Sequence, residues 1–181
     1  WGWISYDPTL NLIFHGTGNP GPWNADQRPG DNKWTSGMFA RDPDTGAARW
    51  WIGFSPHDLF DYDAVNESLL LEFPGKRAVI VRPERNGFIY VLDRRTGQVL
   101  SADPFTDVNS ILRIDMKTGR PVPNPDKQPH DGRVTRGICP ASPGAKDWNP
   151  SAFSPNTGLV YIPHINLCMD WLPGGVSYIA G

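Results

Sequence analysis

Two carboxylates at short spacing are the first chemistry this sequence offers. Asp61 and Asp63 lie two residues apart in Pro56-His57-Asp58-Leu59-Phe60-Asp61-Tyr62-Asp63-Ala64-Val65-Asn66. In an extended segment both would point to one side and Tyr62 to the other. With no basic neighbour in sequence they repel, so either one keeps its proton or a cation sits between them. Oxygen donors of this kind suit a hard ion such as Ca2+, although a bare D-x-D also suits an ordinary polar loop. A second cluster, Gly16-Thr17-Gly18-Asn19-Pro20-Gly21-Pro22-Trp23-Asn24, makes a rigid, irregular loop that can bring backbone close to a ligand. Asn19 offers it a neutral oxygen, or serves simply as a turn residue. In Glu84-Arg85-Asn86-Gly87, leading into a strand, the planar fork of Arg85 can clamp an oxygen-rich group or make a surface ion pair. His15, His57, His130 and His164 show no H-x-x-x-H spacing, which argues against zinc. There is no Cys-x-x-Cys-His haem signature.

These side chains need a scaffold, and its signature is a repeated turn. Asp42-Pro43-Asp44-Thr45-Gly46, Asp93-Arg94-Arg95-Thr96-Gly97, Asp115-Met116-Lys117-Thr118-Gly119 and Ser154-Pro155-Asn156-Thr157-Gly158 share the form [DS]-x-x-T-G, and Asp7-Pro8-Thr9-Leu10-Asn11 is a weaker fifth copy. Asp or Ser caps each turn with its side chain, while Gly supplies the positive φ that closes it. β-rich residues flank the copies, and no segment shows a helical period. With 19 Gly, 19 Pro and 8 Trp in 181 residues, the chain reads as short strands and many turns, an all-β architecture. Hairpins recurring along the chain suit stacked four-stranded blades, so a partial β-propeller is expected in preference to a β-sandwich, which rarely repeats one turn chemistry so faithfully. Trp50-Trp51 follows the first full copy, where an indole can wedge between blades. The Pro-rich stretch from Pro121 to Pro129 reads as a loop or blade connection, since Pro cannot donate to a sheet ladder.

The bulk numbers narrow the partners. Net charge is −2, with Lys and Arg scattered singly, so no nucleic-acid footprint is present. The apolar runs are far too short to span a bilayer. Cys139 and Cys168 are either two buried thiols or one disulfide closing a loop of about 30 residues, worth roughly 3–4 kcal/mol in the chain-entropy model. The chain opens on Trp1 rather than Met, so it reads as an internal fragment of one propeller domain, and the absence of a signal sequence says nothing.

An ordered set of motifs then points to a family. Trp1-Gly2-Trp3, the loop from Gly18 to Asn24, Arg28-Pro29-Gly30-Asp31-Asn32-Lys33-Trp34, the Pro56–Asn66 segment and Cys168-Met169-Asp170-Trp171 together resemble the pyrroloquinoline quinone (PQQ)-dependent methanol and ethanol dehydrogenases. The resemblance covers essentially the whole chain, and the [DS]-x-x-T-G turns match that family's tryptophan-docking repeats. It implies an eight-bladed propeller in the periplasm, with PQQ near the ring axis beside a metal ion. It also implies roles by position. Trp1 matches the indole beneath PQQ, Asn19 a metal ligand, and Asp61 the catalytic aspartate that approaches the metal. Arg85 matches the arginine on the quinone oxygens, and Asp147 falls near the PQQ edge. Cys139 and Cys168 match a structural disulfide. The metal-binding Glu, the vicinal Cys pair and several PQQ contacts of the family belong upstream of this stretch. Phe60 stands where many relatives have Trp, a departure that bears on the substrate pocket.

Asp63 separates two branches of that family. Calcium-dependent relatives typically carry a small residue two positions after the catalytic Asp, whereas lanthanide-dependent ones, and some ethanol dehydrogenases, carry a second Asp. One more carboxylate better neutralises a trivalent ion, so a lanthanide is expected, with Ca2+ as the alternative. The implied substrate is a small primary alcohol and the implied electron acceptor a soluble cytochrome c, and a homodimer is compatible with the resemblance. The rival readings are a calcium-type or quinohaem alcohol dehydrogenase and a non-catalytic propeller scaffold. A scaffold would have no reason to keep Asn19, Asp61 and Arg85 together with Trp1.

Overall fold

The computed structural model describes residues 2–75, 77–175 and 179. Two complete four-stranded antiparallel meanders form its centre. The first runs β1 (Ile4–Asp7), β2 (Leu12–Gly16), β3 (Gly37–Arg41), β4 (Ala48–Gly53), and the second β5 (Leu69–Phe73), β6 (Arg77–Pro83), β7 (Phe88–Asp93), β8 (Val99–Pro104), each with its strands adjacent in sequence order. Three two-stranded pieces follow: β9 (Ile111–Asp115) with β10 (Arg120–Pro123), β11 (Thr135–Ile138) with β14 (Met169–Trp171), and β12 (Ala152–Ser154) with β13 (Leu159–Tyr161). Helical structure among the described residues is confined to 3-10 turns at Ala25–Gln27 and Pro125–Lys127.

The core lies where the sheets face one another. Leu12, Phe14, Met38 and Ile52 from the first sheet pack with Ile80, Tyr90, Leu92 and Val99 from the second, and Ile111 and Ile114 of β9 extend the same cluster. Strand β7 shows the cause in its sequence: Phe88, Tyr90 and Leu92 are buried while Ile89, Val91 and Asp93 between them are less so. This is the two-residue period of a pleated strand.

The repeated turns form as expected. The [DS]-x-x-T-G copies join β3 to β4, β7 to β8, β9 to β10 and β12 to β13, and the Asp7 copy joins β1 to β2. In four of them one aspartate oxygen accepts the amides two and three residues on, as Asp42 does from Asp44 and Thr45, at 3.0 and 3.1 Å. The closing glycines have φ near +70°, and Asn11 takes that place in the weaker copy with φ 49°. Gly97 has a second reason to be glycine. A Cβ there would lie 2.5 Å from the indole of Trp50, which reaches from the first blade onto the turn of the second.

Two expectations need correction. The Pro-rich stretch is not all loop, because Pro121 and Pro123 belong to β10. That strand is an outer member of a two-stranded ladder with a bulge at Val122/Pro123, where a missing N–H costs nothing. The Asp115 and Ser154 turns close two-stranded hairpins rather than complete blades. Cys139 and Cys168 are disulfide-bonded with Cα atoms 4.4 Å apart, fastening the end of β11 to the start of β14.

Candidate active site

Segments remote in sequence converge because small residues let their backbones touch. A Cβ on Gly16 would sit 1.4 Å from the Ala64 carbonyl oxygen, so only glycine admits the 61–66 stretch beside the end of β2. Ala64 N–H donates to the Thr17 carbonyl at 3.0 Å, and the Asn19 amide donates to Asp63 Oδ1 at 2.6 Å. The Gly-rich loop thus brings its backbone close to another part of the chain. A second crossing occurs at Gly144, φ +78°, where a Cβ would lie 2.5 Å from that of Arg85. Ala145 N–H donates to the Arg85 carbonyl at 2.9 Å, which lays the segment carrying Asp147 over the β6–β7 turn.

Asp61 is not in extended backbone. Its φ is 72°, and the Asp63 amide returns to the Asp61 carbonyl at 3.1 Å, forming a tight turn. The carboxylate of Asp58 builds this turn by accepting the amides of Phe60 (3.2 Å) and Tyr62 (2.9 Å). Tyr62 and Asp63 are both buried, so the alternation expected of an extended segment does not hold here, and the Tyr62 hydroxyl donates to the Pro140 carbonyl at 2.5 Å. Phe60 stacks beside it with ring centroids 5.1 Å apart and is equally withdrawn from solvent.

Arg85 is the hub. It is buried rather than at the surface, with Nη2 2.6 Å from Asp147 Oδ1 and 3.7 Å from Asp63 Oδ2, and with Nη1 donating to the Asp61 carbonyl at 3.2 Å. Burial, with the carboxylates of Asp63 and Asp147 beside it, holds the Asp61 carboxyl above its usual range against the pull of Arg85. The carboxylates of Asp61, Asp63 and Asp147 thus share the surroundings of one guanidinium, and the Asn19 backbone N–H donates to Asp63. The three carboxylates, oxygen donors in negative excess, fit a hard cation. Among the described residues no group of three or more His, Cys, Asp or Glu is arranged to hold a metal ion, so this chain would supply only part of a shell. Arg85 supplies the N–H donors that quinone carbonyl oxygens call for, and Asp147 Oδ1 holds its guanidinium at 2.6 Å. Trp1 lies outside the described residues. Trp3 lies near the site: its amide donates to the Val65 carbonyl and its indole N–H to that of Trp148.

Sequence reasoning missed the buried charges behind the site. Lys146 has no exposed surface, and its ammonium meets Glu67 Oε2 at 2.8 Å. Arg82 and Glu84 pair beside them, also buried. Arg28 donates to the Asp58 carbonyl at 2.7 Å, linking the loop after Asn19 to the Asp61 turn. Exposure is the ordinary expectation for charged side chains. No local signal marks them.

Four-stranded antiparallel meanders following one another along the chain are the blades of a β-propeller. The model of the PQQ family, the β-propeller domain of glucose, ethanol and alcohol dehydrogenases, matches residues 1–110, and the chain belongs to that family. The chain is 52% identical to a lanthanide-dependent methanol dehydrogenase of Methylacidiphilum fumariolicum (strain SolV), over all of this chain and 30% of the relative. It is 42% identical to methanol dehydrogenase [cytochrome c] subunit 1 of Methylorubrum extorquens, again over the whole chain and 30% of the relative. Among solved structures, a europium-containing methanol dehydrogenase superposes with a TM-score of 0.90 at 53% identity, covering 94% of this chain and 30% of that one. The chain thus spans under a third of the length of these relatives.

Proposed function

We propose that this chain is part of a single eight-bladed propeller domain that oxidises a small primary alcohol to the aldehyde, holding PQQ and a lanthanide ion at the Asp61–Asp63–Arg85 cluster. The observation that carries this reading is the gathering of Asp61, Asp63 and Asp147 round the buried Arg85 guanidinium, with the Asn19 backbone N–H on Asp63, from four separate stretches of chain. When bound, PQQ supplies the hydride acceptor and the metal ion polarises its carbonyl. Asn19, Asp61 and Asp63 would be this chain's metal ligands, and Trp1, Arg85 and Asp147 its PQQ contacts. Asp61 takes the hydroxyl proton of the alcohol as general base. The Arg85 guanidinium, fixed from several sides, opposes negative charge growing on the quinone oxygen without having to reorganise. Asp63 adds the extra carboxylate that favours a trivalent ion, and Ca2+ is the alternative. The Cys139–Cys168 disulfide supports a periplasmic location, and the methanol dehydrogenase relatives support a cytochrome c as acceptor. Among the described residues no helix is long and apolar enough to cross a membrane.

The test is dye-linked methanol and ethanol oxidation by the complete protein, reconstituted with PQQ and either La3+ or Ca2+. Activity with La3+ is expected. Asp61→Ala should lower turnover by at least about 100-fold while leaving the fold intact, and retained turnover would remove Asp61 as the base. Asp63→Ala should selectively abolish the La3+-supported rate. Equal losses with both metals would make Asp63 an ordinary structural residue.

A further inference from the structure

Lys146 and Glu67 take no part in the chemistry outlined above, yet they are buried and oppositely charged directly behind it. The Lys146 ammonium makes two described hydrogen bonds, to Glu67 Oε2 at 2.8 Å and to the Asp147 carbonyl at 2.9 Å. The other Glu67 oxygen, Oε1, accepts the Ser151 amide at 2.6 Å. Glu67 lies just beyond Asp61 and Asp63 on the stretch leading to β5, whereas Lys146, Asp147 and Ser151 belong to the segment crossing Arg85. The pair therefore bolts the metal-side stretch to the quinone-side stretch. Asp147 is held at both ends: its carbonyl by Lys146, and its carboxylate oxygen Oδ1 by Arg85 at 2.6 Å and by the Trp148 amide at 2.9 Å.

A buried ion pair is a poor way merely to fill space. Desolvation consumes most of its Coulombic gain, and apolar residues of similar volume often stabilise as well or better. Such a pair does impose direction, because the ammonium satisfies its hydrogen bonds only when both partners sit in place. We propose that Lys146 and Glu67 are positioning residues that hold the Asp147 carboxylate against Arg85, and so set the geometry of the PQQ-contacting edge. The role assigned to that edge rests on the function proposed above.

The experiment compares the complete wild-type protein with Lys146→Met, Asp147→Asn, their combination, and Lys146→Met/Glu67→Met, which removes both charges and preserves the fold should the single change leave Glu67 too costly to bury. PQQ affinity is titrated with the metal-loaded, PQQ-free protein. Hydrogen exchange of peptides spanning residues 145–149, including the Trp148 amide that donates to Asp147, is followed without PQQ. The Met variants should bind PQQ about 10- to 100-fold more weakly and exchange faster at Trp148. Lys146→Met should add little once Asp147 is Asn, because both act through one contact. Wild-type PQQ affinity and exchange in the folded Met/Met variant would overturn the proposal, as would fully additive losses of affinity. If the wild type binds no PQQ, the proposed function fails, and exchange at Trp148 alone decides for or against the clamp.

Discussion

Asp58 shows how one side chain can set the conformation of another. Its fully buried carboxylate spends both oxygens on the amides of Phe60 and Tyr62, and so shapes the turn in which Asp61 adopts a positive φ. Burial pushes the Asp58 acid up to about 7. Those two amides and the Arg28 guanidinium oppose the shift, and the Asp61 carboxylate adds to it. A folded value above the unfolded 3.8 means that the native state holds the proton more tightly, so stability falls as pH rises from about 4 to about 7. Asp58→Asn cannot ionise and exchanges one acceptor for a donor facing an amide. It should cost about 1–3 kcal/mol at low pH and lack this component of the pH dependence. Denaturant midpoints of the complete protein between pH 4 and 8 should therefore converge with those of the wild type as pH rises; parallel curves would refute the role given to Asp58.

At the scale of elements, the site depends on two places where one backbone needs another to have no Cβ. Gly16→Ala would drive a methyl into the Ala64 carbonyl and separate Asn19 from Asp63. The expected loss of stability exceeds about 3 kcal/mol, the upper end for ordinary overpacking, together with loss of metal-dependent activity. Gly21→Ala in the same loop meets nothing within 4 Å and serves as the control. Gly144→Ala should act in the same way on Arg85 and Asp147, and equal melting curves for the Gly16 and Gly21 variants would show that the close approach is dispensable. The glycine content of the loop was plain in the sequence. What each glycine touches was not, because Ala64 and Arg85 are far away along the chain.

At the scale of the molecule, the two complete blades are joined by the Trp50 indole on Gly97 and by a buried ion pair. Arg94, from the turn after β7, meets Asp7 of the β1–β2 turn at 2.9 Å and also donates to the carbonyls of Leu71 and Val79. Burial works against ionising Asp7, but Arg94 and the amides of Leu10 and Thr9 outweigh it and hold the carboxyl below 3.8. A depressed folded value contributes stability above the unfolded value, and that stability is lost as pH falls through the acid range. Arg94→Ala leaves Asp7 buried without its cation and should cost about 3–5 kcal/mol in chemical denaturation. Asp7→Asn should flatten the acid limb of the stability curve, and an unchanged limb would show that the pair is not what tethers the blades.

The sequence by itself determined whatever depends on residues close along the chain. The Asp-capped, Gly-closed turns, the two-residue alternation of β7 and the all-β class all follow from local sterics and patterning, and the family resemblance singled out Asn19, Asp61, Asp63, Arg85 and Asp147 by position. Only the tertiary structure decided that Asp61 sits in a turn rather than a strand, that Pro121 and Pro123 pair as an outer strand, and that Lys146 is buried against Glu67. The reason is physical: a charge is tolerated inside only where partners distant along the chain meet it, and those partners are assembled by the packing of the sheets.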